Sequence, residues 1–299
     1  MKRPSSISLA LALLLLLGPW SWGQDDPAID KAVTEIKKVG GKLEIDLKDK
    51  AKPIIGVDFS GVDITETALT QLKALPALKK LNLRGSKTVD KHLDLLKPLK
   101  TLEKLDLRDT RITDNGLEAL QELTSLLELD VSRTDITNVG PRYFKGLAKL
   151  QVLNLESTPA SNSTMEHFKG LVYLNTLNLR DTNVGDVGLE FINGHFRMQN
   201  LDLGNTRVTK DGLPELKAMI KLQKLDLRGT QVTDASLDHL KKHLSLRVLI
   251  LNGTSISDAG LERIKELKGL EEVYLNVTKV TDEGVKNLQK IRPKLKIVR

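Results

Sequence analysis

The sequence predicts an α/β solenoid with a curved parallel sheet on its concave side, helices on its convex side, and about ten repeats between two caps. Three observations predict it. Leucine or a close relative returns every 24 residues, from Ile54 through Leu78, Leu102, Leu126, Leu150, Leu174, Met198, Leu222 and Leu246 to Leu270, with no insertion or deletion. Further apolar residues stand three and five places after each of these, as in Leu222, Leu225 and Leu227. The unit also persists beyond its leucines, since Leu222-Gln-Lys-Leu-Asp-Leu-Arg-Gly-Thr-Gln-Val-Thr-Asp-Ala-Ser-Leu keeps threonine, aspartate and small residues in fixed places. A constant period with this frame marks a fold that buries one layer per repeat.

At the amino terminus, Lys2 and Arg3 precede an apolar run from Ile7 to Leu17, and Ser21-Trp22-Gly23 follows Gly18-Pro19. A positive start, an apolar stretch of about 11 residues and a small-x-small site read as a secretory signal peptide over 1–23. The run falls short of the roughly 20 apolar residues that span a bilayer, and an uncleaved anchor is the alternative. Residues 24–53 read as an amino-terminal cap. Ile29, Val33, Ile36 and Val39 form the apolar face of a helix ending at Gly40-Gly41, and Leu43, Ile45 and Leu47 alternate as a strand.

Residues 54–293 hold the repeats. The L-x-L step has period two and fits a short strand with both leucines inward. Apolar residues three apart, as in Leu237, Leu240 and His243, fit a helix lying on that layer. Between them, Thr113-Asp114, Thr233-Asp234 and Thr281-Asp282 suit helix N-caps. Gly116, Gly140, Gly188, Gly212, Gly260 and Gly284 follow two residues later, where a missing side chain lets neighbouring layers approach closely. Pro293 breaks the last helix, and 294–299 reads as a closing strand.

Thr110, Thr134, Thr158, Thr182, Thr206, Thr230, Thr254 and Thr278 form a further column, with Ser86 and Val62 at its amino end. A buried hydroxyl there can bond the backbone of a neighbouring turn. The T-x-[VI]-T-D-x-G-L pattern over 54–290 resembles the leucine-rich repeats of exported bacterial proteins. It is also similar to the repeats of F-box substrate receptors, which carry Cys in the Thr column. The resemblance implies a right-handed horseshoe or arc and a recognition role, without naming a partner, because one repeat serves many.

The net charge of +7 hides heavy mixing, 46 basic against 39 acidic residues, and no basic stripe interleaved with aromatics stands free for nucleic acid. The absence of Cys excludes disulfides, thiolate chemistry and lipid attachment at a cysteine. His239 and His243 sit four apart, but no Glu lies between them and no third ligand is evident. Inward packing is expected of His243 rather than metal binding. No nucleophile elbow, phosphate loop or dinucleotide fingerprint occurs, so neither catalysis nor a cofactor is expected.

Residues alternating with the buried leucines should form the concave surface, among them Arg84, Asp106, Arg108, Asp226 and Arg228. Carboxylates stacked about 4.8 Å apart need flanking cations, and the plain reading is a self-neutralising mesh. In the ninth repeat Val248 and Ile250 replace polar residues, and Tyr274 follows in the tenth. That island has the anatomy of a contact hot spot, unless the carboxyl-terminal tail folds over it as a cap. On the outer face Tyr143, His167 and Phe191 set rings in three consecutive repeats, as an exposed binding stripe or half-buried between helices.

The expectation is an exported, non-enzymatic module that recognises a protein or an envelope polymer along its concave face, with no stable membrane span after signal cleavage. A structural envelope protein without a discrete ligand is the alternative. An F-box-like subunit of a ubiquitin ligase is a third reading, which the signal segment opposes.

Overall fold

The computed structural model describes residues 26–299, so the signal-peptide reading of 1–23 lies outside the described residues. Twelve strands form one sheet in chain order. They are β1 (Lys42–Ile45), β2 (Ile54–Asp58), β3 (Lys80–Asn82), β4 (Lys104–Asp106), β5 (Glu128–Asp130), β6 (Val152–Asn154), β7 (Thr176–Asn178), β8 (Asn200–Asp202), β9 (Lys224–Asp226), β10 (Val248–Ile250), β11 (Glu272–Tyr274) and β12 (Lys296–Val298). From β2 onward every pairing is parallel and in register, Leu81 beside Leu105 beside Leu129. One crossover per repeat enforces the parallel sense, and the buried leucines pin the register, since a slip of one residue would turn them outward.

A helix and a strand precede the first repeat. Helix α1 (Pro27–Lys38) starts on Asp26, whose side chain accepts from the Ala28 amide at 2.8 Å, and buries Ala32, Val33 and Ile36. It ends at Gly40, held at φ +89°. β1 runs antiparallel to β2 and stops at Ile45. Leu47, expected inside this strand, is instead exposed beyond it.

The convex elements correct the expectation of regular helices. Gly116–Glu122, Gly140–Gly146, Leu213–Ala218 and Asp234–Leu240 are 3-10 helices, while Asp186–Glu190, Asp258–Ile264 and Asp282–Ile291 are α-helical. A 3-10 helix has three residues per turn, so apolar residues spaced by three, such as Leu117 and Leu120, eclipse on one buried face.

The threonine column is buried, but it does not reach a neighbouring repeat. Each hydroxyl donates to the carbonyl three residues earlier in its own turn: Thr110 to Leu107, Thr206 to Leu203 and Thr230 to Leu227, each at 2.6 Å. The residue before this column, which holds Val62, Ser86 and the eight threonines, is left-handed in all ten repeats, from Gly61 to Val277, with φ between 54° and 69°. That twist brings the hydroxyl back over its own strand. Thr206→Val is expected to destabilise by about 1–3 kcal/mol, because a buried carbonyl loses its donor while the volume hardly changes. Urea denaturation measures this, and an unchanged midpoint would count against it.

The repeats are fastened to one another at the Thr-Asp step. Asp186 accepts from the Thr209 amide at 2.8 Å and from its hydroxyl at 2.7 Å, one repeat on. Asp90, Asp114, Asp234 and Asp258 hold Thr113, Thr137, Ser257 and Thr281 in the same way. The expected N-cap role is present at Thr281, which accepts from the Gly284 amide at 3.0 Å, but the inter-repeat bonds dominate the step. The conserved spacing of glycine now has a cause. A Cβ at Gly212 would lie 2.4 Å from Asp186 Oδ1, and one at Gly140 would lie 2.4 Å from Asp114 Oδ1.

Candidate binding surface

Alternate strand residues turn away from the leucines and line a hollow of about 720 Å³ that reaches from β1 to β7. Its middle column holds Asp58, Asn82, Asp106, Asp130, Asn154 and Asn178. Each of these side chains turns one oxygen onto the amide two residues on, at 2.9 Å for Asp106 to Arg108 and 3.0 Å for Asn178 to Arg180. These Asx turns end the strands. A column that sequence reasoning assigned to the surface therefore also carries structure. Flanking ion pairs join Lys104 of β4 to Glu128 of the adjacent β5 at 2.5 Å and, across β2, Lys80 of β3 to Glu44 of β1 at 2.6 Å. Arg84 and Arg108 converge on Asp109, at 3.8 and 3.5 Å, beside the hollow rather than along its lining.

Burial holds the carboxyls of Asp106 and Asp202 above the ordinary aspartate range. The amides of Arg108 and Gly204 pull the other way, and the charges of Asp130 and Asp226 add to the rise. A raised folded-state value means that the folded chain binds the proton more tightly, so stability falls as pH rises through that value. Asp202→Asn keeps the acceptor for Gly204 and removes the charge. It is expected to melt higher than the parent at neutral pH. The advantage should shrink as pH falls through the raised value and vanish below the usual aspartate range. Melting curves across pH check this, and a variant less stable at pH 7 would contradict it.

At the other end of the face, Asp226 is only 1% exposed and is held by Arg228 Nε at 2.8 Å and by its Nη2. Ile250, expected as an exposed contact, is buried beside them, while Val248 and Tyr274 are half-buried. The Tyr274 hydroxyl donates to Glu272 at 2.6 Å, and Lys296 pairs with the same carboxylate at 3.1 Å. The carboxyl-terminal tail does not fold over this island. It joins the sheet edge-on, with Val298 beside Tyr274 in the parallel register of β12.

The outer-face rings are half-buried rather than a bare stripe. Tyr143 and Phe191 pack against the core, and cations cover both: Arg142 lies 4.7 Å from the Tyr143 ring centre and Lys169 lies 4.8 Å from that of Phe191. His167 is half-buried in the same column. Another column, four residues before each strand, holds four exposed apolar residues in successive repeats: Val172, Phe196, Ile220 and Leu244. Their constant 24-residue spacing is visible in the sequence. What hid them is their neighbourhood, since each stands two places before a buried leucine or methionine. His243 is buried, with Nε2 3.0 Å from the Leu216 carbonyl and Nδ1 3.3 Å from that of Leu240. Among the described residues no group of three or more His, Cys, Asp or Glu could hold a metal ion.

A parallel strand per 24 residues, leucines inward and short helices outward define the class. The repeat and the fold are those of a leucine-rich repeat solenoid. The leucine rich repeat family model matches residues 100–159 and 124–184. Among solved structures, an internalin (inlF) of Listeria monocytogenes has a TM-score of 0.61 at 14% identity, covering 91% of this chain and 94% of that one. An internalin C2 of the same organism has a TM-score of 0.58 at 24% identity, with coverages of 84% and 93%. A plant peptide hormone receptor in complex with RGF2 has a TM-score of 0.56 at 16% identity, covering 85% of this chain and 40% of that one. No curated protein matches the chain.

Proposed function

We propose that this protein is an exported, non-catalytic binding module that recognises another protein through its concave strand face. The observation that carries the reading is the hollow across β1 to β7. Several of its polar groups are already oriented by Asx turns and ion pairs. Pre-oriented donors and acceptors on a rigid sheet cost little ordering entropy on binding, which favours recognition. The plant receptor in complex with RGF2 supports the reading as a solenoid of like fold that holds a partner. Export rests on the sequence of residues 2–23.

The test uses the cleaved chain as bait on native envelope fractions, beside Val152→Arg. Val152 is half-buried in the hollow and its side chain makes no polar bond, so the variant fills the hollow without breaking a ladder. Saturable capture of a protein by the parent, lost in Val152→Arg at an unchanged melting temperature, supports the proposal. Equal capture by both chains removes the concave face from it. Saturable binding that survives protease treatment of the fraction points to an envelope polymer instead.

A further inference from the structure

The strand-start edge of repeats five to nine departs from the rest of the molecule in two respects. Its turns carry four exposed apolar tips in successive repeats, Val172 at 43%, Phe196 at 53%, Ile220 at 61% and Leu244 at 69% exposure. The same turns, residues 145–149, 169–173, 193–197, 217–221 and 241–245, contain no acidic residue. Of their basic residues, Lys149, Lys169, Arg197, Lys217, Lys221 and Lys242 are exposed and have no ion pair among the described residues. The nearest turn lysines on either side are paired: Lys97 with Asp94 and Lys100 with Glu122 toward the amino end, Lys265 with Glu262 toward the carboxyl end. The unpaired charge is therefore concentrated on the turns that carry the apolar tips and on the one before them, with Lys73 and Lys290 as isolated exposed cations farther out.

We propose that this edge docks on an anionic phospholipid surface. Apolar tips backed by unpaired lysines and arginines are what such a surface attracts, the tips entering the acyl boundary and the cations remaining among the headgroups. Arg197 already adopts that posture, with its guanidinium 4.7 Å from the Tyr173 ring centre and 6.0 Å from that of Phe196. Beside these rings a hollow of about 170 Å³ opens between Tyr173, Arg197 and Lys221, with the amides of Gln151, Asn175 and Gln199 completing its wall. Two cations and three side-chain amides suit a lipid phosphate. The tips protrude along a line rather than enclose a groove. A fluid surface accommodates that line directly, whereas a protein partner would need a matching row of pockets at the repeat spacing. This docking is separate from recognition on the concave face and leaves that face free.

The experiment is co-sedimentation of the full chain with phosphatidylcholine vesicles, without and with about one third phosphatidylglycerol. The amino-terminal apolar segment is common to parent and variants and cancels between them. The parent is expected to prefer the anionic vesicles. Phe196→Ser/Ile220→Ser/Leu244→Ser and Arg197→Gln/Lys221→Gln should each lose about tenfold or more of that preference at the parent's melting temperature. A second reading exploits the absence of Cys. An environment-sensitive fluorophore on Ile220→Cys should shift to the blue on anionic vesicles, while the same label on Val277→Cys, on the opposite edge, should not. No preference for anionic vesicles in the parent, undiminished preference in both variants, or equal shifts of the two labels would overturn the proposal. The first of these outcomes would leave an acidic protein as the occupant to seek.

Discussion

Asp186→Ala is expected to cost about 2–4 kcal/mol, well above an ordinary surface substitution. The carboxylate accepts from both the amide and the hydroxyl of Thr209 in the following repeat, so its removal leaves a part-buried amide without a partner. Gly212→Ala should cost a similar amount from the other side, since its Cβ would stand 2.4 Å from Asp186 Oδ1. The two positions act as a unit, and the chain contains its own controls. Where Asn138 replaces the aspartate, Thr164 occupies the glycine place and donates to Asn138 Oδ1 at 2.6 Å. Where Lys210 replaces it, Ser236 takes the glycine place and accepts from the Thr233 amide at 2.9 Å. Asp186→Asn with Gly212→Thr is therefore expected to recover most of what Gly212→Thr alone loses. Urea denaturation of the four chains in this cycle gives the coupling directly. Strict additivity would show that the glycine column has some other cause.

Phe144→Ala should be the most damaging single truncation, at about 3–5 kcal/mol. Phe144 and Phe168 are fully buried in adjacent repeats and stack with ring centres 6.3 Å apart. The same column holds Leu120 before them and Ile192 after, also buried, so these two rings are the largest side chains of the column. A cavity here weakens the contacts on both sides of one repeat. In a solenoid, whose stability is a sum of repeat and nearest-neighbour terms, that can divide the chain into halves that melt apart. The denaturation curve should therefore lose steepness as well as shift. Phe144→Leu, which restores the column's usual residue, should lose less and stay cooperative. A parallel shift without change of slope in Phe144→Ala would argue that the halves remain coupled through the sheet alone.

Much of the candidate surface was hidden for a related reason. The 24-residue spacing tells which residues share a column, but not how exposed each column is. Ile250 belongs to the same column as Asp106, yet the structure buries it beside Asp226 and Arg228. Tyr143 and Phe191 share the helix's outer column with polar residues, yet their size lets them reach the core. The exposed tips Phe196, Ile220 and Leu244 read in sequence as part of the buried leucine run. Their column turns outward only because the helix has ended and the chain must reverse before the next strand.

The strict period by itself determined the parallel sheet, its register and the inward leucines, since a pattern that repeats without insertion admits one stacking in which every apolar column meets itself. It also determined that glycine was needed after Thr-Asp. Only the tertiary structure decided why: the aspartate of the preceding repeat fills that space, a contact between residues one repeat apart that no local propensity encodes. It likewise decided that the threonine hydroxyls bond within their own turns, because a left-handed residue precedes each one and aims the side chain back. Columns follow from sequence because they are periodic. Partners of each column follow from the twist and rise between layers, and those are properties of the packed stack.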